Sequence, residues 1–140
     1  MLFRSRLVSI KSQELNGKSW HHVCAMWENT AGMASLFIDG AMRVRVQGKL
    51  IGTLVMWDGV LHLGDRRVNN ASIICSLTCV RLWKRAISEG EVKMEHVNKK
   101  CKDHKRTAMT WPLFKRAQLD GNASWTNSSS LLEEDELGMD

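Results

Sequence analysis

The stretch "MASLFIDGAMRVRV", residues 33 to 46, limits what this chain can fold into more than any other. Asp39-Gly40 supplies the two positive-φ positions of a type I′ turn, and the residues on either side have strand character. Such a turn joins antiparallel neighbours, so a hairpin is required here. In the return strand, alternation predicts Met42, Val44 and Val46 inward, with Arg43 and Arg45 toward solvent. Upstream, "SWHHVCAMW" places Trp20, His22, Cys24 and Met26 on one face and His21, Val23, Ala25 and Trp27 on the other. Both faces are largely apolar, which predicts a strand enclosed within a sandwich. "ENTAG", residues 28 to 32, is the turn between them, and the three segments form an antiparallel meander.

Further along, "GVLHLG", residues 59 to 64, reads as a strand, and "IICSLTCVRLW", residues 73 to 83, as a longer buried one. The period then changes. Ser88 followed by Glu91 is a capping box, and Ile87 and Val92 occupy the positions of a hydrophobic staple. A short helix is predicted from about Glu89 to Val97. The stretch "AMTWPLF", residues 108 to 114, is predicted to return to strand.

Composition excludes whole classes. The 140 residues are 44% hydrophobic and 25% charged, the profile of one globular domain. No apolar run reaches the roughly 18 residues needed to span a bilayer, so insertion by this chain is not expected. The first ten residues carry Arg4 and Arg6 and lack the apolar core of a secretory signal. Three acceptor triplets for N-glycosylation, at Asn70, Asn122 and Asn127, and four cysteines, Cys24, Cys75, Cys79 and Cys101, nevertheless favour an oxidising, extracellular setting. Disulfide candidates include Cys75 or Cys79 with Cys101.

The charge is split along the chain. Up to residue 132 there are 20 basic residues against 10 acids, a net of +10, whereas Glu133, Glu134, Asp135, Glu136 and Asp140 follow. Lys99, Lys100, Lys102, Lys105 and Arg106 form the densest basic run and are the candidates for an anionic ligand, either a heparin-like glycan or a lipid surface. Neither a recognition helix nor an aromatic platform accompanies the charge, so nucleic acid is not an expected partner.

Two chemical sites can be drawn and then weighed. Cys75, Cys79, His96, Cys101 and His104 contain enough soft ligands for zinc. Residues four apart on one strand stand about 13 Å apart, however, too far to share one ion. His21, His22, Ser35 and Asp39 contain the residue types of a hydrolase, but the hairpin spreads them along a strand and no nucleophile elbow is present. No catalytic residue or metal ligand is assigned, and the expectation is a protein that is not an enzyme.

The order of elements resembles the C-terminal half of the pentraxin domain. "HVCAMW", residues 22 to 27, is similar to the family signature His-x-Cys-x-(Ser/Thr)-Trp-x-(Ser/Thr), departing from it at Met26 and Asn29. "LFIDGAMRVR", "GVLHLG", "SLTCVRLWKRAIS" and "MTWPLFKRAQLDGN" follow in the family's order, with Trp83 and Trp111 at core positions. The resemblance implies an all-β, antiparallel jelly-roll sandwich of concanavalin A-like type with one short helix. It would occupy residues 1–121 as a partial domain without its N-terminal part, followed by a polar, glycosylatable and acidic tail over residues 122–140. It also implies that Cys24 pairs with a cysteine that this sequence does not contain.

The family's calcium site is replaced. Where calcium-binding pentraxins place four oxygen-bearing side chains, this chain has Asp65, Arg66, Arg67 and Val68. Calcium takes six to eight oxygen ligands, so no cofactor is expected. The resemblance therefore points to an extracellular recognition module, secreted or part of an adhesion-class receptor. Its ligand would be a glycan, a lipid head group or a protein, and homo-oligomers are common in the family. The alternatives are a calcium-dependent lectin-like binder and a zinc-stabilised intracellular protein.

Overall fold

The computed structural model describes residues 2, 3, 6, 7, 15, 19–48, 51–54, 76–98, 101, 107–119, 123 and 124. Strands β1 (Leu2–Phe3) and β2 (Arg6–Leu7) pair antiparallel as a minimal ladder. The principal sheet is β3 (Val23–Glu28), β4 (Met33–Ile38) and β5 (Ala41–Val46), in that spatial order and antiparallel throughout. It is the expected meander. Asp39 and Gly40 adopt φ of 52° and 75° at the β4–β5 turn, as the Asp-Gly pair requires. At the β3–β4 turn the Glu28 carboxylate accepts hydrogen bonds from the amides of Thr30 and Ala31, and the Thr30 side chain, followed by these amides, holds its pKa below the ordinary range.

Pairing between β4 and β5 shifts register at Leu36/Phe37, and this corrects the face assignment in β5. Leu36 opposes Val44 whereas Phe37 opposes Met42, so Arg43 is the extra residue of a bulge. Residues on the two sides of the bulge no longer share one parity. Arg45 lies opposite Ser35, on the same face as Phe37, and not on the face of Val44 and Val46. Its guanidinium contacts the Ser35 hydroxyl at 3.4 Å and the Glu89 carboxylate at 2.8 Å. The expectation for β3 is likewise corrected. Cys24 and Met26 pack inward, but Val23 is 49% exposed and Ala25 is also exposed, so the second face is open at these positions.

Helix α1 (Glu89–Val97) has the predicted bounds, and it begins with the predicted capping box. The Ser88 hydroxyl accepts from the Glu91 amide, and the Glu91 carboxylate accepts from the Ser88 amide. The staple residues Ile87 and Val92 are both buried and join Phe37 in the core cluster, flanked by Cys24, Met26 and Trp83. Burying side chains such as Val92 and Phe37 contributes about 2 kcal/mol each. The helix thus lies on the Cys24–Met26–Phe37 face of the sheet. Arg81 and Glu95 form an ion pair with both side chains largely buried, which fixes the start of the last turn of α1 to the segment before β6 (Leu82–Trp83).

Two predicted strands are shortened. Of the stretch from 73 to 83, the described part is extended in a ladder only at β6, because Cys79 turns to φ 54° and is disulfide-bonded to Cys101. β7 (Thr107–Met109) pairs antiparallel with β6. Beyond it, residues 111 to 114 form not a strand but helix α2 (Trp111–Phe114), a second helix where one was expected. Pro112 is the reason: its fixed φ and missing amide suit a helix's first turn and cannot serve a ladder. Phe114 is buried and Trp111 half-buried. The expected strand at 59–64 lies outside the described residues. The class is nonetheless the expected one, antiparallel β with short helices.

Candidate functional site

A polar cluster joins the β4–β5 turn to the residues just before β3. The Asp39 carboxylate accepts from Nδ1 of His21 at 2.8 Å and from the His22 amide at 2.9 Å, while the Asp39 amide donates to the His22 carbonyl at 2.8 Å. Although burial pushes the Asp39 carboxyl up, the hydrogen bonds from His21 and His22 prevail and hold its pKa below the ordinary range. This turn is locked to the residues that lead into β3 by three hydrogen bonds.

The Ser19 hydroxyl lies 3.4 Å from Nε2 of His21, so Ser19, His21 and Asp39 connect in the sequence nucleophile, base, orienting acid. Sequence reasoning missed Ser19 and named Ser35 in the hydrolase set that it weighed and set aside. Ser35 is fully buried and engaged by Arg45, four positions along β4 from Asp39. Acyl transfer also needs a substrate cavity and donors for an oxyanion. The groove beside Asp39 is formed by Phe37, Met42, Glu89, Lys93, His96 and Val97, with neither Ser19 nor His21 in its wall. The arrangement therefore holds the turn and does not frame a reacting carbonyl.

The groove itself separates the β4–β5 hairpin from α1. Its floor is Phe37, its rim carries Glu89 and Lys93, and His96 closes one end above Gly40. The His96 ring stands 5.8 Å from the ring of His22, centroid to centroid. His22 is depressed below the ordinary imidazole pKa, first by burial and then by His96. Cys24, on the neighbouring position of the same face, is a free half-buried thiol whose pKa is raised by burial and secondarily by Glu95. Such a thiol is a poor nucleophile.

Other predicted site residues are distributed differently. Cys79 and Cys101 are bonded to each other, with α-carbons 5.0 Å apart, which removes two thiolates from the zinc set. Cys75, His104, the glycosylation acceptors Asn70, Asn122 and Asn127, and the basic run Lys99, Lys100, Lys102, Lys105 and Arg106 lie outside the described residues. So do Asp65, Arg66, Arg67 and Val68. As a donor set, one carboxylate beside two guanidinium groups and an aliphatic side chain does not fit a calcium ion. Among the described residues no cluster of three or more His, Cys, Asp or Glu side chains could hold a metal ion. Nor is any described helix long and apolar enough to cross a membrane.

Comparison with known proteins agrees with this architecture. Over 80 residues, 52% of its length, the chain is 35% identical to human adhesion G protein-coupled receptor D2, of which that stretch covers 8%. Over 84 residues, 56% of its length, it is 26% identical to rat C-reactive protein, covering 36% of it. The chain thus spans only a minor part of either relative. No solved structure matches it. Residues 5–93 match the Laminin_G_3 family model, described as the concanavalin A-like lectin/glucanases superfamily. By that match across most of its length, the chain belongs to the concanavalin A-like lectin/glucanases superfamily.

Proposed function

We propose that this chain is a non-enzymatic recognition module of pentraxin type within an extracellular protein, binding its ligand without calcium. The observation that carries the reading is the sheet itself. A meander, an Asp-Gly turn and a capped helix docked on one face occur in a chain similar both to an adhesion receptor and to C-reactive protein. The disulfide between Cys79 and Cys101 suits an oxidising compartment. The replacement of the calcium ligands by Asp65, Arg66, Arg67 and Val68 supports calcium independence.

The ligand is a glycan, a lipid head group or a protein surface, with Lys99, Lys100, Lys102, Lys105 and Arg106 as the candidate contacts for anionic groups. The test is binding of the purified chain to sulfated and neutral glycans and to vesicles containing phosphocholine or phosphatidylserine, with calcium or with a chelator. Saturable binding that ignores the chelator is expected, weakened by Lys100→Glu combined with Lys102→Glu. Binding that requires calcium would overturn the calcium-free reading, and turnover of a glycan would overturn the non-enzymatic one. Expression through a secretory pathway provides a further check, with glycan expected on Asn70 or Asn122.

A further inference from the structure

We propose that His22 and His96 form a proton-sensitive latch: with His22 neutral, the last turn of α1 lies on the β4–β5 hairpin, and a proton on His22 releases it. The contact joins distant parts of the chain. His22 sits just before β3, bound through its backbone to the hairpin turn, and His96 sits in the last turn of α1. The two rings lie 5.8 Å apart with 40° between their planes, and His96 rests directly on the turn at Gly40.

The chemistry around His22 admits the neutral ring and disfavours the cation. Its Nδ1 is buried and has no hydrogen-bond partner among the described residues. A proton there would be a donor without an acceptor in a site already shielded from water. The charged and titratable groups that face the ring are His96 and Glu95 from α1, Asp39 from the hairpin and Arg81 from the segment before β6. The two carboxylates are already engaged, Asp39 by His21 and by the His22 amide, Glu95 by Arg81 in a largely buried pair. Arg81 and His96 oppose a further positive charge. Burial first, and His96 after it, accordingly hold the pKa of the His22 ring below the ordinary imidazole value.

Linkage fixes the direction. A histidine with a folded-state pKa below its unfolded value of 6.5 leaves stability intact above that pH. As pH falls below 6.5 the released state takes up the proton first, so docking weakens progressively until the folded-state pKa is passed. Release of the last turn would uncover Gly40 and widen the groove between Met42 and Val97. The device is thus a mild-acid switch acting on the face where the helix meets the hairpin.

Hydrogen exchange on the whole chain tests the latch, comparing about pH 7.5 with about pH 5.5 after correction for intrinsic exchange rates. The amides of His96, Val97 and Asn98, beyond the Glu95–Arg81 pair, are expected to lose protection about fivefold at the lower pH. His22→Phe keeps a ring against His96 but cannot titrate, and should abolish that loss. Unchanged protection in the unaltered chain, or an equal loss in His22→Phe, overturns the latch. Should His22→Phe not fold, the ring-carbon shifts of His22 in the unaltered chain decide it. A midpoint below 6.5 that moves up in His96→Ala supports the proposal, and one at or above 6.5, or one that His96→Ala leaves unchanged, overturns it.

Discussion

The ring of His96 occupies the space that a side chain at Gly40 would need: a β-carbon there would stand 3.3 Å from Cδ2 and 3.4 Å from Cβ of the histidine. Gly40 also holds φ at 75°, which residues with a side chain rarely adopt. Gly40→Ala should therefore cost about 1–3 kcal/mol, by urea titration. In the double variant with His96→Ala the steric part should be relieved and the backbone part should remain, so the two changes will be non-additive.

The start of α1 depends on one carboxylate used twice. Glu91 closes the capping box on Ser88 and also binds the Arg85 guanidinium through both oxygens. The Arg85 hydrogen bonds, followed by the Ser88 amide, pull its pKa down to about 2. A lowered carboxyl stabilises the fold above its ordinary pKa of 4.5, and that contribution is lost as pH falls through about 2. Glu91→Gln should remove this portion of the acid dependence, measured as melting temperature against pH. Ser88→Ala should cost about 1 kcal/mol at neutral pH.

Arg81 and Glu95 form an ion pair in which both side chains are largely buried. Removing one partner strands the other away from water, so Arg81→Leu should destabilise the chain by about 3–5 kcal/mol. Exchanging the pair for Leu and Met together should restore much of that loss. Chemical denaturation of the three variants decides between these values.

The Cys79–Cys101 bridge closes a loop of 22 residues that contains β6 and α1. Loop-closure entropy puts its contribution at about 3 kcal/mol. Peptide mapping of the unreduced chain should recover Cys79 linked to Cys101 and Cys24 alkylated as a thiol. A reductant should lower the melting temperature, and Cys79→Ser combined with Cys101→Ser should reproduce that drop.

What was legible in the sequence was what local chemistry decides. The Asp39-Gly40 turn and the Ser88–Glu91 box are set by neighbours within three positions, and both stand where the pattern placed them. Strand parity failed in β5, because a bulge arises from how two strands fit and leaves no mark in alternation alone. Cys79 interrupts an apolar run that reads as strand, since its bond to Cys101 and its left-handed backbone belong to the tertiary fold. Pro112 was legible but was outweighed by its apolar neighbours. In the polar cluster, His21, His22 and Asp39 were named together from the sequence. The contact of His22 with His96 joins residues too distant in the chain for spacing to reveal.

The bulge at Leu36/Phe37 has a consequence for how β5 can change length. Losing one residue from a paired strand ordinarily turns every side chain beyond it to the opposite face. Here Arg43 is the surplus residue, so its deletion would leave Met42 opposite Phe37 and Val44 opposite Leu36. Arg45 would keep its place over Ser35 and its reach to Glu89. Relatives one residue shorter at this point can therefore share the same sheet, and an ungapped comparison through it would place the wrong residues on each face.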